Sequence, residues 1–160
     1  MPSMTAEQQS SGVRIFPPVI HAVAIALGFL VQWVAPVRIS GSGRWLALLV
    51  GCLLLGMAVG LIAWTATAMF RAGTTPNPTQ PTTALIIDGP FLLTRNPMYL
   101  AWELICVGVG LTANALWPIV MAVPAAFVTR RLVIDKEERY LERRFGAEYD
   151  KYQVRVRRWI

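Results

Sequence analysis

The stretch DGPFLLTRNPMYL, residues 88–100, is a polar turn set between two long apolar runs. Gly89-Pro90 closes the segment before it, because glycine permits a strained turn and proline fixes its own φ while carrying no N–H donor. Asn96-Pro97 opens the next element. Proline suits the first helical turn, where a missing N–H costs nothing, and it steers the residue before it out of the α region. The apolar run from Met98 to Val109 begins at once. Non-helical backbone at the mouth of membrane helices persists only where protein or a water-filled cavity satisfies its polar groups. The turn is therefore a ligand site or an ordinary interfacial loop, and the turn's own chemistry leaves both open.

Outward from this turn the apolar residues come in blocks. The chain has 160 residues, 55% hydrophobic and 15% charged, and the blocking moves the reading from a soluble domain to a membrane protein. Runs at 15–35, 45–70, 97–113 and 116–133 approach or exceed the roughly 20 residues that cross a bilayer core. The first opens on Pro17-Pro18 and ends near Trp33, an interface anchor. The second carries no charge, and its Gly56 and Gly60 form a small-xxx-small pair that predicts close helix approach. The last two are short and are separated by a break at Asn114 and Pro118, which predicts a tight helical hairpin.

Residues 1–14 read as a polar tail without the pattern of a signal peptide. Residues 71–88 are the longest loop, and Pro76, Pro78 and Pro81 exclude a helix there. After the membrane domain, 15–134, comes an amphipathic segment, 135–160. Tyr140, Leu141, Phe145, Tyr149, Tyr152 and Val156 recur on one helical face, with Gly146 as an interruption. This segment lies on the headgroups or folds over a pocket with Glu137 and Glu138 turned inward. The expected fold is all-α: an integral membrane protein of about four transmembrane helices, the last two a short hairpin, with a C-terminal amphipathic helix as a cap.

Charge sets the orientation. Of fifteen basic residues, ten lie between Arg130 and Arg158, and the net charge is +6. Beside membrane spans this reads as a surface for anionic lipid rather than for nucleic acid. Four spans put both termini on the side holding Arg14, Arg71, Arg95 and the basic tail, against Arg38 and Arg44 on the other. The positive-inside rule then places both termini in the cytoplasm. Cys52, Cys106 and the lone His21 all fall inside apolar runs, so no metal site is expected. Glu103 is the one charge in the third run. It sits one turn after Tyr99 on the same face, either facing a substrate or cofactor or else buried in packing, protonated or hydrated at the interface.

Three pieces in this order carry a family resemblance: GPFLLTRNPMYL, the short apolar hairpin, and EERYLERRFGAEYDKYQVRVRRWI. The chain resembles the isoprenylcysteine carboxyl methyltransferase and phospholipid methyltransferase group of membrane enzymes over roughly its second half. RNPMYL is similar to that group's Arg-His-Pro-x-Tyr signature, and the Glu-Glu-led tail to its C-terminal signature. The resemblance implies S-adenosylmethionine as cofactor, in a pocket between the membrane helices roofed by the C-terminal segment. It places Thr83, Ala84, Leu85 and Ile86 along the cofactor, with Phe91, Asn96, Pro97, Met98, Tyr99 and Glu137 around it. Tyr99 and Glu137 are the expected catalytic residues, and Arg95, Glu103 and Arg131 the candidates for substrate. Asn96 stands where the family has histidine and cannot carry its charge, and Phe91 stands where it usually has tyrosine.

The implied reaction is methyl transfer to a lipophilic acceptor: a prenylcysteine-like carboxylate, a lipid amine or a small hydrophobic thiol. Such an in-line displacement asks the protein to align the partners and exclude water, with no nucleophilic side chain. A similar His-Pro-x-Tyr turn in NADPH-dependent membrane sterol reductases gives a second reading, although those chains are usually longer. A non-catalytic lipid-binding membrane module is the third.

Overall fold

The computed structural model describes residues 13, 16–41, 43–75 and 82–159. The polar tail other than Val13, and Pro76, Pro78 and Pro81 of the long loop, lie outside the described residues. Within them the chain is all-helical. Helix α1 spans Pro17–Val34, α2 Arg44–Arg71, α3 Pro97–Thr112 and α4 Leu116–Thr129. A π-helical turn, Arg130–Ile134, joins α4 to α5 (Asp135–Phe145), and α6 spans Ala147–Arg155.

Among the described residues, three helical stretches are long and apolar enough to cross a membrane: α1, α2 and the continuous 30-residue rod Leu116–Phe145. About 20 residues of that rod suffice for the hydrocarbon, so α4 and the π turn are long enough for it without charged α5. Helix α3 is shorter. At 1.5 Å per residue its 16 residues reach only about 24 Å, against about 30 Å of bilayer hydrocarbon. The fourth expected span and the amphipathic cap are one rod, because no glycine or proline stands between Pro124 and Gly146 to part them. The π turn marks the change from apolar α4 to charged α5. At Gly146 the rod does end: its φ of +52° lies in the left-handed region that glycine tolerates, and α6 doubles back from there.

Helix α2 packs along α3 and α1 along α4, so the α3–α4 hairpin separates the first two helices over most of their length. Backbone contact between α2 and α3 rests on Gly51 and Gly108. A Cβ on Gly51 would sit 2.7 Å from Thr112 Cγ2 and 2.9 Å from the Gly108 carbonyl oxygen. The expected close approach through Gly56 and Gly60 is not found: both are exposed, with nothing near a Cβ at either position. One helix seen alone does not reveal which of its faces its neighbour takes. The outer side of α2, with Leu46, Leu49, Leu53 and Met57 exposed, is an apolar band suited to lipid.

The end remote from the turn at 88–96 is tied by Asn114. Its φ of +52° suits asparagine, and its Oδ1 accepts from the backbone N–H groups of Ile39 and Ser40 at 3.1 and 3.0 Å. Trp117 Nε1 adds a bond of 2.7 Å to the Ala35 carbonyl. This end fixes the helix ladder and leaves the opposite end free to form a cavity.

Candidate active site

The turn at 88–96 is held from within and from behind. Gly89, at φ +57°, starts a short 3-10 turn, Gly89–Leu92, on which Pro90 is buried. The fully buried Thr94 hydroxyl accepts from the Asn96 N–H at 3.2 Å and donates to the Arg158 carbonyl at 2.9 Å. Asn96 Nδ2 donates to the same carbonyl at 2.9 Å, and the Arg95 N–H donates to the Arg157 carbonyl at 3.0 Å. Residues 157–159 thus form a strap behind the turn. Pro97 then starts α3, and on its first turn Tyr99 donates its hydroxyl to Glu137 Oε2 at 2.7 Å.

The π turn explains how Glu137 reaches that place. Its extra residue per turn rotates the helix beyond it, as such bulges do at many functional sites. Val133 and Ile134 are fully buried in a cluster with Tyr99 and Val13, while Glu137 emerges one turn later at a cavity wall. Helix α6 closes the other side. Tyr149 and Tyr152 pack with Leu85 and Phe91, and the Tyr152 hydroxyl donates to the Phe91 carbonyl at 2.7 Å. The Tyr140 hydroxyl accepts from the Thr82 N–H at 3.2 Å, which holds the returning loop across the mouth.

The partly open cavity measures about 470 Å³, within the range of small-molecule sites. One wall is polar and is made by Arg95, Asn96, Tyr99, Glu137 and Glu138. The other is apolar and is drawn from the first two helices and α3: Phe16, Pro17 and Pro18, then Thr65 and Met69, then Trp102. The two helices contributing to this second wall are kept apart by the hairpin.

Electrostatics distinguish the two glutamates. Arg158 grips Glu138 with both Nε, at 3.1 Å, and Nη2, while Arg95 Nη1 lies 3.3 Å from Glu138 Oε1. Arg158 Nη1 also reaches Asp135 Oδ1 at 3.3 Å, and these acids hold its guanidinium above the usual arginine range. Glu137 has the Tyr99 hydroxyl and, among the described residues, no cation. Removal from water pushes its carboxyl up to about 7; the Tyr99 bond pulls it down, and the nearby Glu138 charge pushes it up. Arg95 is 13% exposed, and its Nε is buried without a hydrogen-bond partner.

Of the residues singled out from the sequence, Ala84, Leu85, Ile86, Phe91, Arg95, Asn96, Pro97, Met98, Tyr99 and Glu137 come together on this cavity. Three do not line it. Thr83 turns its hydroxyl to the Gly73 carbonyl at 2.8 Å. Arg131 is exposed and stacks over the Phe127 ring at 5.3 Å. Glu103 meets the fully buried His21, with its Oε1 2.8 Å from Nε2. Sequence reasoning misses Arg158, which it groups with the lipid-facing basic tail, and the α1 and α2 wall, which it treats as plain spans. Tyr149 and Tyr152 do lie on the expected aromatic face, and that periodicity is signal enough.

Compared with protein families, residues 46–148 match the phospholipid methyltransferase model, which is well over half of the chain. The chain belongs to the phospholipid methyltransferase family. No curated protein and no solved structure matches it. The family match spans the signature turn, Tyr99 and Glu137, and stops short of α1 and of the strap at 157–159. As a member of a family of membrane methyltransferases, with three helical stretches of spanning length, the chain is an integral membrane protein of that enzyme class. Among the described residues no group of histidine, cysteine and carboxylate ligands could hold a metal ion.

Proposed function

We propose that the protein transfers a methyl group from S-adenosylmethionine to a lipophilic acceptor that reaches the cavity from the bilayer. The observation that carries this reading is the Tyr99–Glu137 pair: a carboxylate that, among the described residues, has no ion-pair partner, fixed by a 2.7 Å hydrogen bond on the wall of a mostly apolar cavity. Such a group suits the cationic parts of that cofactor, its ammonium and its sulfonium. Arg95 Nε, buried and unpartnered on the same wall, suits the carboxylate at the cofactor's amino-acid end. The residues present therefore fit the group the family implies. When bound, the cofactor supplies an activated methyl group on a sulfonium.

The rest is alignment by this chain. Glu137 holds positive charge where water is excluded, and Tyr99 fixes the carboxylate's direction, so neither has to reorganise as the methyl moves. The apolar wall of Phe16, Pro17, Met69 and Trp102 keeps water from the reacting atoms and suits a hydrocarbon chain. The exposed apolar surfaces of α1 and α2, which carry this wall, support entry from the membrane. The family's name puts a phospholipid amine first among the acceptors considered, ahead of a prenylcysteine carboxylate or a thiol.

The test is calorimetric titration of the nanodisc-held protein with S-adenosylmethionine and its demethylated product, with NADPH as control. Both cofactor forms are expected to bind, and Glu137→Ala to weaken them tenfold or more, while the exposed Glu142→Ala leaves them unchanged. Equal affinities in the two variants would remove Glu137 from the site. NADPH binding alone would turn the protein into a reductase candidate.

A further inference from the structure

The strap at 157–159 lies outside the residues matched to the family, yet it contacts Arg95, Asn96 and Glu138 of the polar wall and packs behind Tyr99. One of its carbonyls, that of Arg158, takes hydrogen bonds from both Thr94 and Asn96, and another, that of Arg157, takes the Arg95 N–H. Asn96 is the residue that stands in place of the family's histidine, and its amide is committed to this main-chain bond at 2.9 Å. The side chain of the same Arg158 crosses to the base of α5 and covers Glu138 and Asp135. Trp159 packs against the cluster of Val13, Tyr99, Val133 and Ile134, directly behind the Tyr99–Glu137 pair.

Two adjacent carboxylates on one cavity wall present a physical problem. If both kept full charge, each would resist ionisation of the other, and Glu137 would lose the charge a cationic ligand needs. The groups that act on Glu137 are Tyr99 from α3, through its hydrogen bond, and Glu138 from its own helix, through its charge. Around Glu138 stand Arg95 from the signature turn, Tyr149 from α6 and Arg158 from the strap, and Arg158 also reaches Asp135. Of the two arginines, Arg158 makes the two-pronged contact with Glu138, and Arg95 makes a single contact at 3.3 Å.

We propose that Arg158 is a positioning residue of the cofactor site: its carbonyl clamps the signature turn, and its guanidinium neutralises Glu138, which leaves Glu137 free to meet a cation. The inference rests on the proposed function for the identity of that cation, but not for the coupling itself. It separates the two acids of the C-terminal motif by role, Glu137 toward ligand and Glu138 toward strap.

The experiment reads the pH midpoint of Glu137 in two ways. One is S-adenosylmethionine affinity by calorimetry between pH 5.5 and 7.5. The other needs no ligand: infrared titration of the protonated carboxyl band assigned by its loss in Glu137→Gln. Arg158→Gln is expected to raise the midpoint by about half a unit or more and to weaken binding severalfold at pH 7. Arg158→Lys should stay near the parent protein. Adding Glu138→Gln to Arg158→Gln should bring the midpoint back, which loss of a merely structural clamp would not do. Should Arg158→Gln not fold, Glu138→Gln with Arg158 intact must lower the midpoint. An unmoved midpoint in either single variant, or a shift that persists without Glu138, overturns the proposal. Infrared shifts as expected in a protein that binds no S-adenosylmethionine would overturn the proposed function instead and leave the coupling standing.

Discussion

At the scale of single residues, Glu137 is the group whose chemistry can be followed most directly. Its carboxyl titrates near 7 instead of its ordinary 4.5, with burial as the leading cause. Between those values the folded protein holds a proton that the unfolded chain has released. The group's contribution to stability is therefore fully present below about 4.5 and is lost as pH rises through about 7. Binding of a cation has the opposite sign, because it demands the carboxylate. Affinity for S-adenosylmethionine should rise with pH, by about tenfold per unit below pH 7, and level off above it. The measurement belongs below pH 7.5, where an α-amino group, with a pKa of about 7.7–8.0, remains charged. In Glu137→Gln the same titration should be flat. A parallel slope in both proteins would assign the proton to another group.

At the scale of elements, helix contact depends on which face each helix turns to its neighbour. Gly51 lies where α3 passes: a side chain there would meet the Thr112 backbone N at 2.9 Å, and backbone cannot move aside as a flexible side chain can. Gly51→Val should cost about 1–3 kcal/mol, the usual range for overpacking a tight contact, and lower the thermal midpoint in nanodiscs. Gly56→Val, on the exposed side of the same helix, should leave it within error. Equal losses would mean that α2 packs on the other face. The glycines were visible in the sequence, and so was the all-helical, apolar character of the chain, though not the π turn that joins the fourth run to the amphipathic segment as one rod. The pairing of the helices was not visible, because the charge-free run at 45–70 has apolar residues all round and no polar face to show which side is buried. Arg158 was hidden for a related reason: its partner lies 20 residues away on another helix, and a basic tail beside a membrane already has a sufficient explanation in lipid. The signature turn and Glu137 were legible because local proline, glycine and carboxylate chemistry carries them.

At the scale of the whole molecule, the cavity sits at one end of the helix ladder, and that end carries the charge. Arg71, Arg95 and the ten basic residues from Arg130 to Arg158 are there, while the end tied by Asn114 has Arg38 and Arg44. This asymmetry predicts the cavity end in the cytoplasm, with α1, α2, the short α3 and α4 with its π turn each running between the two ends. Cysteine accessibility tests it. With Cys52 and Cys106 replaced by alanine, Gly41→Cys marks the Asn114 end, where it is exposed with open space about it. Glu148→Cys marks the exposed surface of α6. A membrane-impermeant maleimide added to intact cells should label position 41 and reach position 148 only after lysis. The reverse pattern would put the cavity outside the cell and separate it from its proposed cofactor. Labelling of both positions in intact cells would mean that the helices do not divide the chain between two sides, and the membrane topology would have to be rebuilt around α3.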